Sequence, residues 1–200
     1  MGKISQTIPS EMFDFADYYD RIANELPNGA RLCEVGVADG ASALYLAEKL
    51  HELGKDFEMY WVENFDYGGR KQMAEVVKNI CRSGLGEKIT LMPYSSLDAS
   101  TMFNDNFLDF CFLDSSHEYH QTKAEIWQWW FKVKSDCILA GHDYHLYEGV
   151  RQAVHDTIPS TMVISTEKGN YQSLEIVETT KGYGIFSARK NWQAKIRYEF

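Results

Sequence analysis

The sequence contains no apolar run approaching the ~18 residues that a membrane-crossing helix needs, so no membrane partner is expected. Its opening residues, MGKISQTIPSEMFDF, hold no apolar stretch of the kind that directs secretion, and the cytoplasm is the expected compartment. Basic residues are scarce: 20 Lys and Arg stand against 29 Asp and Glu, a formal net charge of −9. No Lys/Arg cluster occurs, whereas nucleic-acid-binding proteins carry a basic face, so a nucleic-acid partner is not expected. Cysteine is limited to Cys33, Cys81, Cys111 and Cys137. None forms a CxxC pair and three lie inside apolar runs, which fits buried small hydrophobes in a reducing compartment. The glycine pattern G-x-G-x-x-G of dinucleotide sites and the G-K-[ST] of phosphate-cradling loops are both missing.

What is present is an alternation of short apolar runs with helical segments. Runs at 30–37, 57–64, 88–94, 107–114 and 136–143 read as strands. Segments at 41–54, 69–86, 96–103, 118–133 and 146–158 read as helices, the last closed by Pro159. Residues 161–190 look like short strands joined by Gly-containing turns. Continuous apolar strands between helices imply a mostly parallel α/β sheet covered on both faces, wound in the doubly wound manner. Residues 1–28 read as an N-terminal helical extension and 29–200 as a single α/β domain. The extension is placed to cap the site or to make a homo-oligomer contact.

Doubly wound sheets bind ligands beyond the carboxyl ends of their strands, and the polar clusters of this chain lie there. The first strand ends in EVGVADGAS (34–42). Gly36 and Gly40 allow a tight turn, Gly40 allows a ligand to approach the backbone, and Ser42 is placed to cap the following helix. Glu34 sits near the end of a buried strand, where a carboxylate needs a partner, and a ligand carrying positive charge would supply one. Glu63 ends the second strand and is placed to accept from ribose hydroxyls, with Asp66 as the alternative. Asp114 ends the fourth strand, and His142 and Asp143 end the fifth, so the three side chains can converge. His117, His120 and His145 flank this cluster. His120 falls on a solvated helix face, and the tryptophans at 127, 129 and 130 read as core and helix surface. Tyr144 and Tyr147 are candidates for an acceptor pocket.

EVGVADGAS resembles the first motif of class I S-adenosylmethionine-dependent methyltransferases, and WVEN (61–64) resembles the acidic end of their second strand. LDFCFLDSSHEYHQTKAEIWQWW (108–130) and DCILAGHDYHLYEGVRQAV (136–154) are similar to the subgroup that includes macrolide-sugar O-methyltransferases of the macrocin type, and more distantly to the catechol-type metal-dependent enzymes. The resemblance covers roughly residues 30 to 155 in order. It implies a seven-stranded Rossmann-like sheet with the last strands antiparallel. It implies S-adenosyl-L-methionine as cofactor, with Glu34, Gly36 and Gly40 around its methionine part and Glu63 on the ribose. It places Ser95 or Ser96 at the adenine edge, with Asp98 as their rival. By the same analogy Asp114 and Asp143 would bind Mg²⁺ with His142 as third ligand; a histidine in that place also admits Mn²⁺ or Zn²⁺.

Two departures from the pattern stand out. VKSDCILAG (133–141) replaces a Pro and Gly-Gly turn, leaving a turn built from Ser135 and Asp136. DSSH (114–117) replaces an aspartate–glycine–aspartate–histidine run, so Ser116 lacks a carboxylate. The function implied is O-methylation of a small hydroxylated acceptor, a sugar or a natural-product-like molecule. Asp114, His142 and His117 would be catalytic, with His117 preferred to His145 as the base. The alternatives are a non-catalytic cofactor-binding protein and a nicotinamide-dependent oxidoreductase; the missing G-x-G-x-x-G argues against the latter.

Overall fold

The computed structural model describes residues 3–158, 163–166, 169–172 and 174–190. After a short 3-10 turn at Ser5–Thr7, the elements run in chain order as α1 (Ala16–Glu25), β1 (Ala30–Val35), α2 (Ala41–Glu52), β2 (Phe57–Val62), α3 (Gly69–Ser83), β3 (Ile89–Met92), α4 (Ser96–Ser100), β4 (Leu108–Leu113), α5 (Tyr119–Lys132), β5 (Val133–Gly141), α6 (Glu148–Thr157), β6 (Val163–Thr166), β7 (Gly169–Gln172), β8 (Leu174–Val177) and β9 (Ile185–Arg189). Every strand and helix expected from the alternation up to residue 158 is present. Helix α6 ends at Thr157; Pro159, read as its stop, lies outside the described residues, as does the chain from 191 to 200.

Seven strands form one sheet in the order β3-β2-β1-β4-β5-β9-β8. Strands β1 to β5 are parallel, and β9 pairs antiparallel with both β5 and β8. Only β9 therefore runs against the rest: β8, paired antiparallel to an antiparallel strand, points the same way as β5. Strands β6 and β7 form a separate hairpin.

The period-2 alternation of each strand sends side chains to two separate cores. Leu32, Met59, Trp61, Phe110 and Phe112 face the helices α1, α2 and α3. Cys33, Val35, Val62, Cys111 and Leu113 face α4, α5 and α6. Cys33 and Cys111 are paired across β1 and β4 and both are buried, whereas Cys81 is exposed and Cys137 is half-buried. The expectation of uniformly buried thiols thus holds for two of the four, because Cys81 sits on the outer face of α3.

The N-terminal segment is built into the first core. Phe15, Tyr18, Tyr19, Ile22 and Ala23 are buried in it. Helix α1 is tied to the far edge of the sheet: Arg21 makes two bonds to Glu175 of β8 (2.8 and 3.0 Å), and Tyr18 donates to Ser187 of β9 (3.0 Å).

The segment expected to turn through Ser135 and Asp136 is instead the beginning of β5, which starts at Val133 directly after α5. Its register with β4 jumps from Leu108↔Val133 to Phe110↔Ile138. The surplus residues bulge out with Asp136 at φ 64°. Asp109 anchors the bulge by accepting from Lys134 (2.8 Å) and from the backbone N–H of Arg31 (2.9 Å).

The sheet order reverses between β1 and β4, the place where folds of this kind bind ligands beyond the strand ends. The backbone N–H of Asp114 donates to the Val35 carbonyl at 2.8 Å. Gly36 follows at φ 86°, and a Cβ placed on it would lie 2.0 Å from the Asp114 carbonyl oxygen. Both the left-handed conformation and the backbone approach exclude a side chain there. Gly36→Ala is expected to lose about 3 kcal/mol or more of folding stability, measurable as a lowered denaturant midpoint, with failure to fold as the extreme of the same effect.

Candidate active site

Asp114, His142 and Asp143 do converge, as the adjacency of β4 and β5 requires. His142 is buried, and its Nδ1 lies 3.3 Å from Asp143 Oδ1 and 3.7 Å from Asp114 Oδ1. Its Nε2 meets Asp14 Oδ1 at 2.8 Å. Burial opposes the charge on this ring, but the carboxylates of Asp114 and Asp143 override it and push its pKa up to about 10. A ring protonated on both nitrogens has two donors and no lone pair for a cation. In that state the ring is the positive partner of the two carboxylates.

His117 approaches the same two carboxylates. One ligand atom from each of Asp114, His117 and Asp143 lies within 4.8 Å of the others. His117 Nε2 meets Asp143 Oδ2 at 2.7 Å. The hydrogen bond to Asp143 holds the His117 pKa above its ordinary value, and partial burial works against it. Asp143 itself, although burial works against its charge, is held down to about 2 by His117 and His142. It adopts φ 63°, rare for a residue with a side chain, and its Oδ1 is buried with no hydrogen bond. The His117 ring stacks on Tyr147 with centroids 4.0 Å apart and planes 6° from parallel. Gly149 makes this approach feasible, since a Cβ there would lie 2.4 Å from the His117 carbonyl oxygen.

Glu34 is buried at the end of β1. It accepts from Tyr19 at 2.7 Å and from Ser42 at 2.5 Å. Burial dominates those two bonds, and with the nearby Asp114 charge it lifts the Glu34 pKa to about 7. Burial likewise raises that of Asp114. Ser42 therefore serves Glu34 and does not cap α2. Gly40, at φ 84°, stands at the N-cap of that helix, which has no side-chain cap. Gly40 packs against the ring of Trp61, 2.9 Å from where a Cβ would sit.

Glu63 stands at the end of β2, accepting from the backbone N–H groups of Ala38 (2.9 Å) and Phe65 (3.2 Å). Asp66 instead accepts from the Asn64 amide at 2.7 Å. Ser95 caps α4, accepting from the Asp98 N–H and donating to the Asp98 carboxylate. Ser96 is buried and accepts from Trp129 Nε1 at 3.0 Å, which turns it toward the core beneath α5.

Several flanking residues lie apart from the cluster. His120 is exposed. His145 pairs with Glu178 at 3.0 Å. Tyr144 is buried with its hydroxyl 2.7 Å from His155 Nε2, so of the two tyrosines only Tyr147 is exposed at the mouth.

Three contributors were not foreseen from the motifs. Asp14 is fully enclosed against His142. Tyr19 holds Glu34. Glu125 of α5 is buried and accepts from Ser115 (2.9 Å) and Gln121 (3.2 Å), steadying the loop between β4 and α5. Burial raises its pKa. A signal existed for two of them: an acid between two phenylalanines in FDF, and an acid beside Ile126 on the apolar stripe of α5. A cleft of about 240 Å³ opens beside the cluster, walled by residues 9–13 and Phe15 on one side and by Gly36–Asp39, Ala41 and Ser42 on the other, with Asp114 at its inner end.

A family model described as a methyltransferase domain matches residues 33–144. No curated protein matches the chain. Solved structures share the fold at low identity. A Corynebacterium glutamicum protein aligns at 13% identity and TM-score 0.65, covering 93% of this chain and 83% of its own. A Klebsiella pneumoniae protein provisionally assigned as an O-methyltransferase aligns at 16% and 0.61, covering 92% and 81%. A Galdieria sulphuraria protein provisionally assigned as a sarcosine dimethylglycine methyltransferase aligns at 16% and 0.51, covering 64% of this chain; the alignment spans only 45% of that longer protein. The chain belongs to this family of methyltransferase domains, and its class is that of the S-adenosylmethionine-dependent methyltransferases.

The raised Glu34 pKa has a direct consequence for stability. Below its unfolded value near 4.5 the carboxyl is protonated in both states and has no effect. As pH rises toward about 7 the unfolded chain releases its proton first, so folding is progressively penalised, and above 7 the penalty is constant. Glu34→Gln should therefore gain on the parent between pH 5 and pH 8, by up to about 3 kcal/mol, in paired denaturation curves. An equal stability difference at the two pH values would show that Glu34 is ionised in the fold throughout.

Proposed function

We propose that the protein transfers a methyl group to a hydroxyl oxygen of a small acceptor, a sugar or a natural-product-like molecule. The observation that carries this reading is the convergence of Asp114, His117 and Asp143 at the ends of β4 and β5, immediately beside the cleft that Asp114 also lines.

S-adenosylmethionine, when bound, supplies a methyl group already activated on a sulfonium. The residues present fit it. Glu34 is buried and Asp114 half-buried; desolvation raises both carboxyl pKa values and the Asp114 charge adds to the rise at Glu34, and a positively charged ligand relieves both. Each Glu63 oxygen accepts one backbone N–H and keeps a lone pair for a ribose hydroxyl.

The acceptor's proton needs a destination. His117 is half-exposed, oriented through Nε2 by Asp143 and packed on Tyr147. This is the arrangement of a general base fixed by a carboxylate, and it leaves Nδ1 to take the proton. Tyr147 presents an aromatic surface beside it for the acceptor ring. Holding the acceptor oxygen in line with the methyl–sulfur bond accounts for much of the rate.

A second reading is favoured by Asp143 Oδ1, which is buried without a hydrogen bond and meets His142 Nδ1 only at 3.3 Å: Asp114, His117 and Asp143 would hold a divalent ion such as Mg²⁺ or Mn²⁺. Such an ion, when bound, lowers the pKa of a hydroxyl that contacts it. Removal of divalent ions by a chelator separates the readings. Retained activity keeps His117 as the base, and loss of activity restored by Mg²⁺ or Mn²⁺ makes it a ligand.

Isothermal titration with S-adenosylmethionine is expected to show binding, and its absence at millimolar cofactor would overturn the proposal. With an accepted substrate, Asp114→Asn should lower kcat/KM by about a hundredfold or more, a range typical for a group acting on the transition state, with the melting temperature nearly unchanged. His120→Ala should be close to silent. Equal losses in both variants would contradict the assignment of the site.

A further inference from the structure

The N-terminal segment lies outside the residues matched by the methyltransferase family, 33–144, yet one of its side chains reaches the centre of the site. We propose that Asp14 is a positioning residue: it holds His142 by Nε2 and, through that ring, sets the directions of Asp143 and Asp114. The link to a divalent ion rests on the metal-assisted form of the function proposed above, whereas the link from Asp14 to His142 does not.

The two oxygens of Asp14 have different partners. Oδ1 meets His142 Nε2 at 2.8 Å. Oδ2 accepts from Thr179 Oγ1 at 2.5 Å and from the backbone N–H of Lys181 at 3.0 Å. The Asp14 carbonyl adds bonds from the Thr180 N–H (3.1 Å) and hydroxyl (2.9 Å). Oδ2 and the carbonyl thus fasten the segment to the turn between β8 and β9, and Oδ1 is directed at the imidazole. The ring has little freedom of its own: Phe15 lies at 4.7 Å and Tyr183 at 5.7 Å between centroids, and His142 is 3% exposed. Holding one nitrogen of an enclosed ring decides where the other points, and Nδ1 points at Asp143 Oδ1 and Asp114 Oδ1.

This division of partners makes a fastening role and a positioning role separable. In Asp14→Asn the amide oxygen is needed by the Lys181 N–H, so the amide NH₂ must face His142 Nε2 and force that nitrogen to accept. The ring then carries its proton on Nδ1. Thr179→Val weakens the fastening and leaves Oδ1 on the ring.

Histidine ¹⁵N NMR of the full chain without added metal reads this directly. The parent and Thr179→Val should both show His142 protonated at Nε2 with slow exchange, and Asp14→Asn should show Nε2 unprotonated. Ring signals in Asp14→Asn that match the parent would overturn the inference. So would a neutral His142 bearing its proton only on Nδ1 in the parent, a result that needs no variant to fold.

Mn²⁺ titration followed by electron paramagnetic resonance tests the connection to the carboxylates. Asp14→Asn should bind Mn²⁺ at least ~10-fold more weakly than the parent, the range for loss of a group that orients ligands, with Thr179→Val within about twofold. Equal Mn²⁺ affinity in parent and Asp14→Asn would refute transmission to Asp114 and Asp143. If the parent takes no Mn²⁺, the metal reading fails, and the NMR comparison alone decides the role of Asp14.

Discussion

The organisation of this protein depends on one buried imidazole. His142 sits among Asp14, Asp114 and Asp143, each contributed by a different part of the chain. Acidic groups brought this close in a dry interior repel one another and lose hydration, and the arrangement holds only with a positive charge between them. The ring supplies that charge and at the same time measures the distances: Nε2 to the N-terminal segment, Nδ1 to the ends of β4 and β5. Charge balance and geometry are therefore one constraint. It links the N-terminal segment, the sheet and the turn before β9 into a single structure.

The sheet explains why the constraint falls where it does. Reversal of strand order between β1 and β4 opens a crevice at their carboxyl ends, and Gly36 lets the two chain ends touch through their backbones. Gly149 does the same for the loop that carries His117 against the start of α6. Two backbone contacts that admit no Cβ thus help to set the positions of Asp114 and His117. What remains around them is loop and N-terminal segment: Met12 and Phe13 line the cleft, and Tyr147 packs on His117.

The electrostatic character of the crevice is consistent with its cofactor class. Glu34 and Asp114 are raised by burial, while Asp143 is depressed by two imidazoles, so neighbouring carboxylates differ widely in proton affinity. Such separation of pKa values within one cleft is characteristic of sites that bind charge or move protons.

Chain order and hydrophobic period determined the strand–helix alternation, the parallel sheet covered on both faces, and the placement of Asp114, His142 and Asp143 at adjacent strand ends. These follow from local periodicity and from the narrow choice of right-handed crossovers. Only the tertiary structure decided which nitrogen faces which oxygen. It brought His117 onto Asp143 opposite His142, turned Ser42 onto Glu34, Ser96 onto Trp129 and Tyr144 onto His155, and packed Gly40 against Trp61. It also carried Asp14, 128 residues from His142 in sequence, into the centre of the site. Periodicity records which face of an element is buried; it holds no record of the partner that a buried polar atom finds, because that partner comes from a distant element whose approach is set by packing.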